Sequence, residues 1–169
     1  NACHTFLADL GVPVVTTNVD GLHERAGPPE YAPMVAAVHG TALAEICAGC
    51  GREPAACTRA HAACGYPRPA VLLFDDRFYP RAAQDACARA STLVDGAKAR
   101  EAPLVFVVGV SWALPTFAAL LAELRARGGR IIHVNVAPPP ARYWMPGDTL
   151  VREPAAVFFK RCREAYFGQ

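Results

Sequence analysis

Three side chains near the amino end could orient a polar ligand and move a proton, and a group of thiols further on could hold a metal. Asn18 and Asp20 follow closely on the apolar run Val12 to Val15. Ligands of open α/β sheets bind outside the carboxyl ends of such strands, so an amide and a carboxylate there are candidate hydrogen-bonding groups. The same residue types also cap turns and helices. His39 precedes Gly40 after a loop bearing Pro28, Pro29 and Pro33. Imidazole titrates near neutrality, which makes His39 the candidate general base. His4 and His133 read as structural.

The thiols are distinguished by their spacing. Seven cysteines is an odd number and argues against a complete disulfide framework, while Cys47, Cys50, Cys57 and Cys64 fall within 18 positions. With neither a basic start nor an apolar stretch at the amino end, no secretion signal is read and an intracellular location, cytoplasmic or nuclear, is expected. In that setting such clustering reads as metal binding rather than disulfides. Cys47-x-x-Cys50 forms one knuckle, with Gly51 supplying the tight backbone that thiolate ligation favours. A structural site needs two more donors, and four protein ligands leave no open position for catalysis. Cys3, Cys87 and Cys162 stand alone and read as apolar packing.

These groups need elements to position them. Residues 2–10 predict the end of a helix closed by Gly11, followed by a short buried strand at Val12 to Val15. The three prolines then impose a loop. Residues 41–69 predict a small excursion, too poor in large apolar residues for a core of its own. Val71 to Phe74 is a further apolar run, and Arg81 to Arg100 is alanine-rich and favours helix. Leu104 to Val108 predicts a buried strand, Pro115 opens a helix with Phe117, Leu120, Leu121 and Leu124 on one face, and Ile131 to Val136 is the next strand. Strand, helix, strand makes a right-handed βαβ unit. Residues 154–167 predict a terminal helix. The class is α/β, a Rossmann-like parallel sheet built from residues 1–40 and 70–169, with a small zinc-binding insert at 41–69.

Bulk properties narrow the partners. The chain has 169 residues, 53% hydrophobic and 19% charged, which is globular composition. A formal net charge of +2 gives no argument for nucleic acid or an anionic membrane surface. No apolar run approaches the roughly 20 residues of a membrane span. Oligomeric state is not legible.

The segment Thr16-Thr17-Asn18-Val19-Asp20-Gly21-Leu22-His23-Glu24-Arg25-Ala26-Gly27 resembles the sirtuin signature Thr-Gln-Asn-Ile-Asp-Gly-Leu-His-x-x-Ala-Gly. The resemblance implies an NAD-dependent protein deacylase that acts on acyl-lysine protein or peptide, passes the acyl group to ADP-ribose and releases nicotinamide. It implies NAD contacts from Thr17, Asn18, Val19 and Asp20, with Asp20 on the nicotinamide carboxamide, although Thr17 stands where the family has Gln. His39-Gly40 matches the family's catalytic His-Gly pair, so His39 and Asn18 are the implied catalytic residues. Gly109-Val110-Ser111 is similar to the family's Gly-Thr-Ser, and Asn135 matches an Asn that contacts the adenosine ribose. Cys64-Gly65 matches the end of the second zinc knuckle, whose other ligand three residues earlier is His61. The implied zinc set is Cys47, Cys50, His61 and Cys64, with Cys57 as the rival that needs a wider loop.

Arg68-Pro69-Ala70-Val71-Leu72-Leu73-Phe74 resembles the family strand to which substrate peptide adds, with Asp75-Asp76 in place of Gly-Glu. Around Leu150 to Ala156 the family often has Gly-Asp-Ala; Pro154 replaces the Asp and no site is read there. The family's Gly-Ala-Gly-x-Ser loop and Phe-Arg segment have no match, so a fragment of a longer domain with weak NAD binding is expected. A zinc-stabilised module that binds peptide or protein without catalysis is the second reading.

Overall fold

The structure, a computed structural model, describes residues 1–57, 64–76, 79–111 and 117–168. The expected helix opening at Pro115 and the implied ligand His61 lie outside these residues. By backbone contacts the chain divides into two compact units, Ala8–Leu93 and Asn1–Leu7 with Val94–Gln169. That division cuts the chain at points other than the edges of the expected insert at 41–69. Helix α1 spans Ala2–Asp9 and ends where Gly11, at φ +60°, turns the chain.

In the unit Ala8–Leu93, strand β1 (Val14–Thr16) pairs in parallel with β2 (Val35–Ala37), Thr16 opposite Ala37. Strand β2 was not expected from the sequence, because the prolines before it suggested loop alone. The stretch Pro29–Met34 instead winds into 3₁₀ turns, Tyr31 is buried, and its hydroxyl donates to Val12 O at 3.1 Å. Tyr31, Val35 and Ala8 form a small core there. Strand β3 (Gly40–Cys47) pairs antiparallel with β4 (Pro67–Val71), with an irregularity between Thr41 and Glu45. The excursion is therefore rooted in a ribbon. Pro67 and Pro69 fit β4 because among the described residues it pairs with one neighbour only, and proline cannot donate to a second ladder. Strand β4 ends before the expected run Val71 to Phe74 is complete, and Phe74 is fully exposed. Helix α2 (Arg81–Lys98) buries Ala83, Ala86 and Ala90, a face of small residues at helical spacing.

The unit Asn1–Leu7 with Val94–Gln169 contains the expected βαβ. Strand β5 (Leu104–Val108), helix α3 (Phe117–Ala126) and β6 (Arg130–Val134) follow in order, and β5 and β6 pair in parallel from Leu104↔Arg130 to Val108↔Val134. A third parallel strand, β7 (Thr149–Val151), adds to β6. At three residues it is too short to show a period in sequence. Leu121, Leu124, Ile131 and Tyr143 form the core between helix and sheet. Helix α4 (Ala155–Phe167) buries Phe159, whose ring lies 5.6 Å from Phe106 and 5.9 Å from Phe6. The class is α/β, as expected. Its parallel strands form a two-stranded and a three-stranded ladder among the described residues.

A buried charge network stiffens this second unit. Asp148 accepts from Arg125 Nε at 3.0 Å, from Arg125 Nη2 at 2.5 Å, from His133 at 3.1 Å and from the Met145 N–H at 3.1 Å. Burial alone would raise the Asp148 carboxyl. The Arg125 and His133 hydrogen bonds outweigh it and hold the group below the usual carboxylate range. His133 is fully buried.

Candidate active site and metal centre

The first cluster follows from the parallel pairing of β1 and β2. Thr16 is opposite Ala37, and the Val38 N–H donates to Thr16 O at 2.9 Å. Residues 17–20 and residues 38–39 therefore leave the ladder at the same carboxyl edge. Local hydrogen bonds shape the first segment. The Asn18 N–H donates to Thr16 Oγ1 at 3.0 Å, and Asp20 Oδ1 accepts the Leu22 N–H at 3.0 Å. The Asp20 carbonyl accepts from the Arg25 guanidinium at 2.9 Å, and Val19 O accepts the Ala42 N–H at 2.8 Å. Thr17 and Val19 are half-buried, whereas Asn18 and Asp20 are exposed. An amide and a carboxylate thus face solvent on a turn fixed from both ends.

His39 is half-buried in the turn that joins β2 to β3, and its carbonyl accepts the Leu72 N–H at 2.8 Å. The glycine after it is required by packing. Gly40 has φ +87°, and a Cβ there would sit 2.1 Å from Ala70 O. Any other residue would push β3 away from β4 and move His39 with it. The backbone at the His-Gly pair is thus placed by a strand crossing that only glycine allows.

In the other unit, Gly109, Val110 and Ser111 leave β5 at its carboxyl end, with Gly109 and Ser111 exposed. Asn135 leaves the adjacent β6. Its Nδ2 donates to Val110 O at 2.8 Å, so Asn135 and the Gly109–Ser111 turn meet at one edge. Amide, carboxylate and hydroxyl groups at the carboxyl edges of parallel ladders are a donor and acceptor set suited to ribose hydroxyls and a carboxamide. These residues fit NAD chemistry within each unit.

Among the described residues the candidate metal centre gathers the three implied cysteines and, beside them, Cys57. The Sγ atoms of Cys47, Cys50, Cys57 and Cys64 all lie within 4.8 Å of one another, and those of Cys50 and Cys57 are 3.7 Å apart. Zn–S bonds of about 2.3 Å in a tetrahedron put sulfurs about 3.8 Å apart, so the set fits zinc. Cys57, the rival in sequence, stands as the fourth thiol. The wide spacing from Cys57 to Cys64 hid it, since a two-residue spacer is the stronger sequence signal. The implied ligand His61 lies outside the described residues, and four thiols suffice for a tetrahedral zinc site.

Backbone approach draws the two knuckles together. A Cβ on Gly49 would lie 1.2 Å from Cys64 O, so only glycine admits this crossing. The Gly51 N–H donates to Cys47 O at 2.8 Å, and the Ala48 N–H donates to Tyr66 O at 2.9 Å. Burial pushes the Cys47 thiol up, but N–H groups of Gly49 and Cys50 and the thiols of Cys64 and Cys50 bring it down to about 6. Hydrogen bonding to Cys50 and Cys47, with burial, pushes Cys64 up to about 12. A thiolate at Cys47 is the form that binds metal.

One further device was not legible. Arg68 donates to Val71 O at 2.8 Å and to Asp76 Oδ1 at 2.5 Å, while Asp76 Oδ2 accepts the Leu73 N–H at 2.9 Å. The Asp76 that replaces the family's Glu thus closes a clamp on the segment after β4. Burial raises this carboxyl, and the Leu73 N–H and Arg68 together outweigh it and bring it below its ordinary value.

No family model matches the chain. Among curated proteins, the NAD-dependent protein deacetylase 2 of Streptomyces coelicolor is 36% identical over 172 residues, covering 91% of this chain and 66% of that protein. The NAD-dependent protein deacetylase of Listeria innocua is 34% identical over 133 residues, 76% of this chain and 52% of that protein. The NAD-dependent protein deacylase of Aeropyrum pernix is 30% identical over 180 residues, 98% of this chain and 66% of that protein. The chain thus spans between about half and two thirds of the length of these relatives. A solved structure of Sir2 with p53 peptide and NAD⁺ superposes with a TM-score of 0.72 at 23% identity, covering 100% of this chain and 71% of that one. That likeness shows the fold, and together with the relatives' identity over most of this chain it shows that the chain belongs to the sirtuin family.

Proposed function

We propose that this chain serves NAD-dependent removal of acyl groups from protein lysine, with nicotinamide released and the acyl group passed to ADP-ribose. The observation that carries the reading is the shared carboxyl edge of β1 and β2, from which Asn18, Asp20 and His39 all emerge. Bound NAD supplies an activated glycosidic carbon with nicotinamide as its leaving group. Asp20 and Asn18 hold the carboxamide and orient it, with Thr17 and Val19 forming the rest of that turn. His39 would take the proton from a ribose hydroxyl at a ring nitrogen, leaving that oxygen free to bond the acyl carbon while the lysine nitrogen departs as its amine. Gly109, Ser111 and Asn135 receive the adenosine side. Cys47, Cys50, Cys57 and Cys64 hold zinc, which fastens the two knuckles and takes no part in the chemistry.

The acyl-lysine substrate enters as an extended peptide. Strand β4 pairs with β3 alone among the described residues, and the Arg68–Asp76 clamp holds exposed Leu73 and Phe74 at its end, a surface suited to strand addition.

The test is nicotinamide release from NAD in the presence of an acetyl-lysine peptide, measured on the protein that carries this chain. Release is expected, and His39→Ala should lower kcat by about 10²-fold or more, as for loss of a general base. Equal release by wild type and His39→Ala, or none from the wild type, overturns the enzyme reading in favour of a binding module.

A further inference from the structure

Asn135 leaves β6 with its backbone and its side chain both engaged. Its N–H donates to Val151 O at 3.0 Å, and its Nδ2 donates to Val110 O at 2.8 Å. One residue earlier, Val134 O accepts the Gly109 N–H at 3.0 Å. The orientation of the amide follows from chemistry, because a carbonyl oxygen only accepts and the nitrogen must face it. The Val110 side chain packs against the core of Leu121, Leu124, Ile131 and Tyr143. The Val110 peptide is therefore gripped from two directions, by an apolar contact and by an amide. Exposed Ser111 is the next residue. The atom that makes this grip, Nδ2, is different from the Oδ1 that could accept from a ribose hydroxyl.

We propose that Asn135 is a positioning residue, whose Nδ2 clamps Val110 and fixes the Gly109–Ser111 turn in its receiving conformation before any cofactor arrives. The inference rests on the proposed NAD reading of that turn. Preorganising a loop removes an ordering cost from binding, so the clamp acts on NAD affinity even where Asn135 makes no contact of its own. The anchor is rigid, because the residue two positions earlier, His133, belongs to the buried Asp148 network.

The test separates the two atoms of one side chain. Neither Asn135→Ala nor Asn135→Asp can donate to Val110 O, while Asn135→Asp keeps an acceptor oxygen. In the cofactor-free protein both variants should speed amide exchange at Val110 and Ser111 by about fivefold, the size of one lost neutral hydrogen bond. Protection in β5 and β6 should stay at the wild-type level, which distinguishes a loosened turn from an unfolded unit. The dissociation constant for NAD, measured by calorimetry, should rise by about the same factor in both. Ser111→Ala should weaken NAD binding without changing exchange. Wild-type exchange and affinity in Asn135→Asp would mean that Asn135 acts through its acceptor oxygen alone, and the clamp is overturned. Unchanged NAD affinity in Asn135→Ala, Asn135→Asp and Ser111→Ala, despite faster exchange, overturns the proposal through the NAD reading on which it rests.

Discussion

The two units are held together by different means. In Asn1–Leu7 with Val94–Gln169, large side chains are removed from water: Phe159, Tyr143 and Ile131 are almost wholly buried, and Phe6, Phe106, Phe158 and Phe159 touch ring to ring. In Ala8–Leu93 the buried apolar set is mostly small, with Ala36, Ala37, Ala70, Ala83, Ala86 and Ala90 beside Val35, Ile46 and Tyr31. Alanine buries little area, so hydrophobic burial contributes less per residue there. The thiol cluster and the backbone crossings at Gly40 and Gly49 make up the difference. The unit that carries His39, Asn18 and Asp20 is thus stitched by geometry and metal, and its companion is held by packing. Positioning chemistry asks for fixed backbone more than for a thick core.

The contrast can be broken most strongly at the metal. Structural zinc contributes about 10 kcal/mol or more in isolated zinc modules. Chelation is expected to erase amide protection at Cys47, Ala48, Gly51 and Cys57, while β5 and β6 keep theirs, as read by hydrogen exchange. Metal analysis of purified variants sharpens the ligand set. Cys57→Ser should lose the bound zinc, and His61→Ala should retain it. The reverse pattern would restore His61 as the ligand.

The next effect lies in the packed unit. Asp148→Ala removes the acceptor shared by Arg125, His133 and the Met145 N–H, and leaves all three without it in a largely buried site. Such a loss costs about 3 kcal/mol, visible as a lower denaturant midpoint for that unit with no change in zinc content. Acid probes the same group without mutation. Its folded carboxyl lies below its unfolded value of about 3.9, so its contribution is fully present above that value and is lost as pH falls through the folded one. Stability of the wild type should therefore bend downward below about pH 4, and Asp148→Asn should flatten part of that bend.

The smallest effect is expected at Tyr31→Phe, which deletes the hydroxyl bond to Val12 O and keeps the ring in its buried place. A cost of about 1 kcal/mol is expected. Thermal melting checks it. A much larger loss would mean that the polar bond, and not the ring, organises the 3₁₀ turns before β2.

Residues adjacent in sequence determined a large share of this protein. Thr16 to Gly27 declared its turn chemistry through Asn18, Asp20 and Gly21, and the run Leu104 to Val108 with its following helix declared a βαβ unit, because period and punctuation are local properties. The spacing of Cys47 and Cys50 was legible for the same reason. Tertiary structure decided what depends on partners far along the chain. Strand β2 forms because Val35 to Ala37 pair with β1 across 21 positions, against the local suggestion of three prolines. Cys64 reaches the first knuckle because Gly49 lets the two backbones approach, and Cys57 Sγ comes 3.7 Å from Cys50 Sγ, facts no spacing rule contains. Asn135 clamps Val110 because β5 and β6 run in parallel register, so two residues 25 positions apart meet at one edge. Sequence records which groups are available for chemistry, and only the pairing of strands fixes which of them meet.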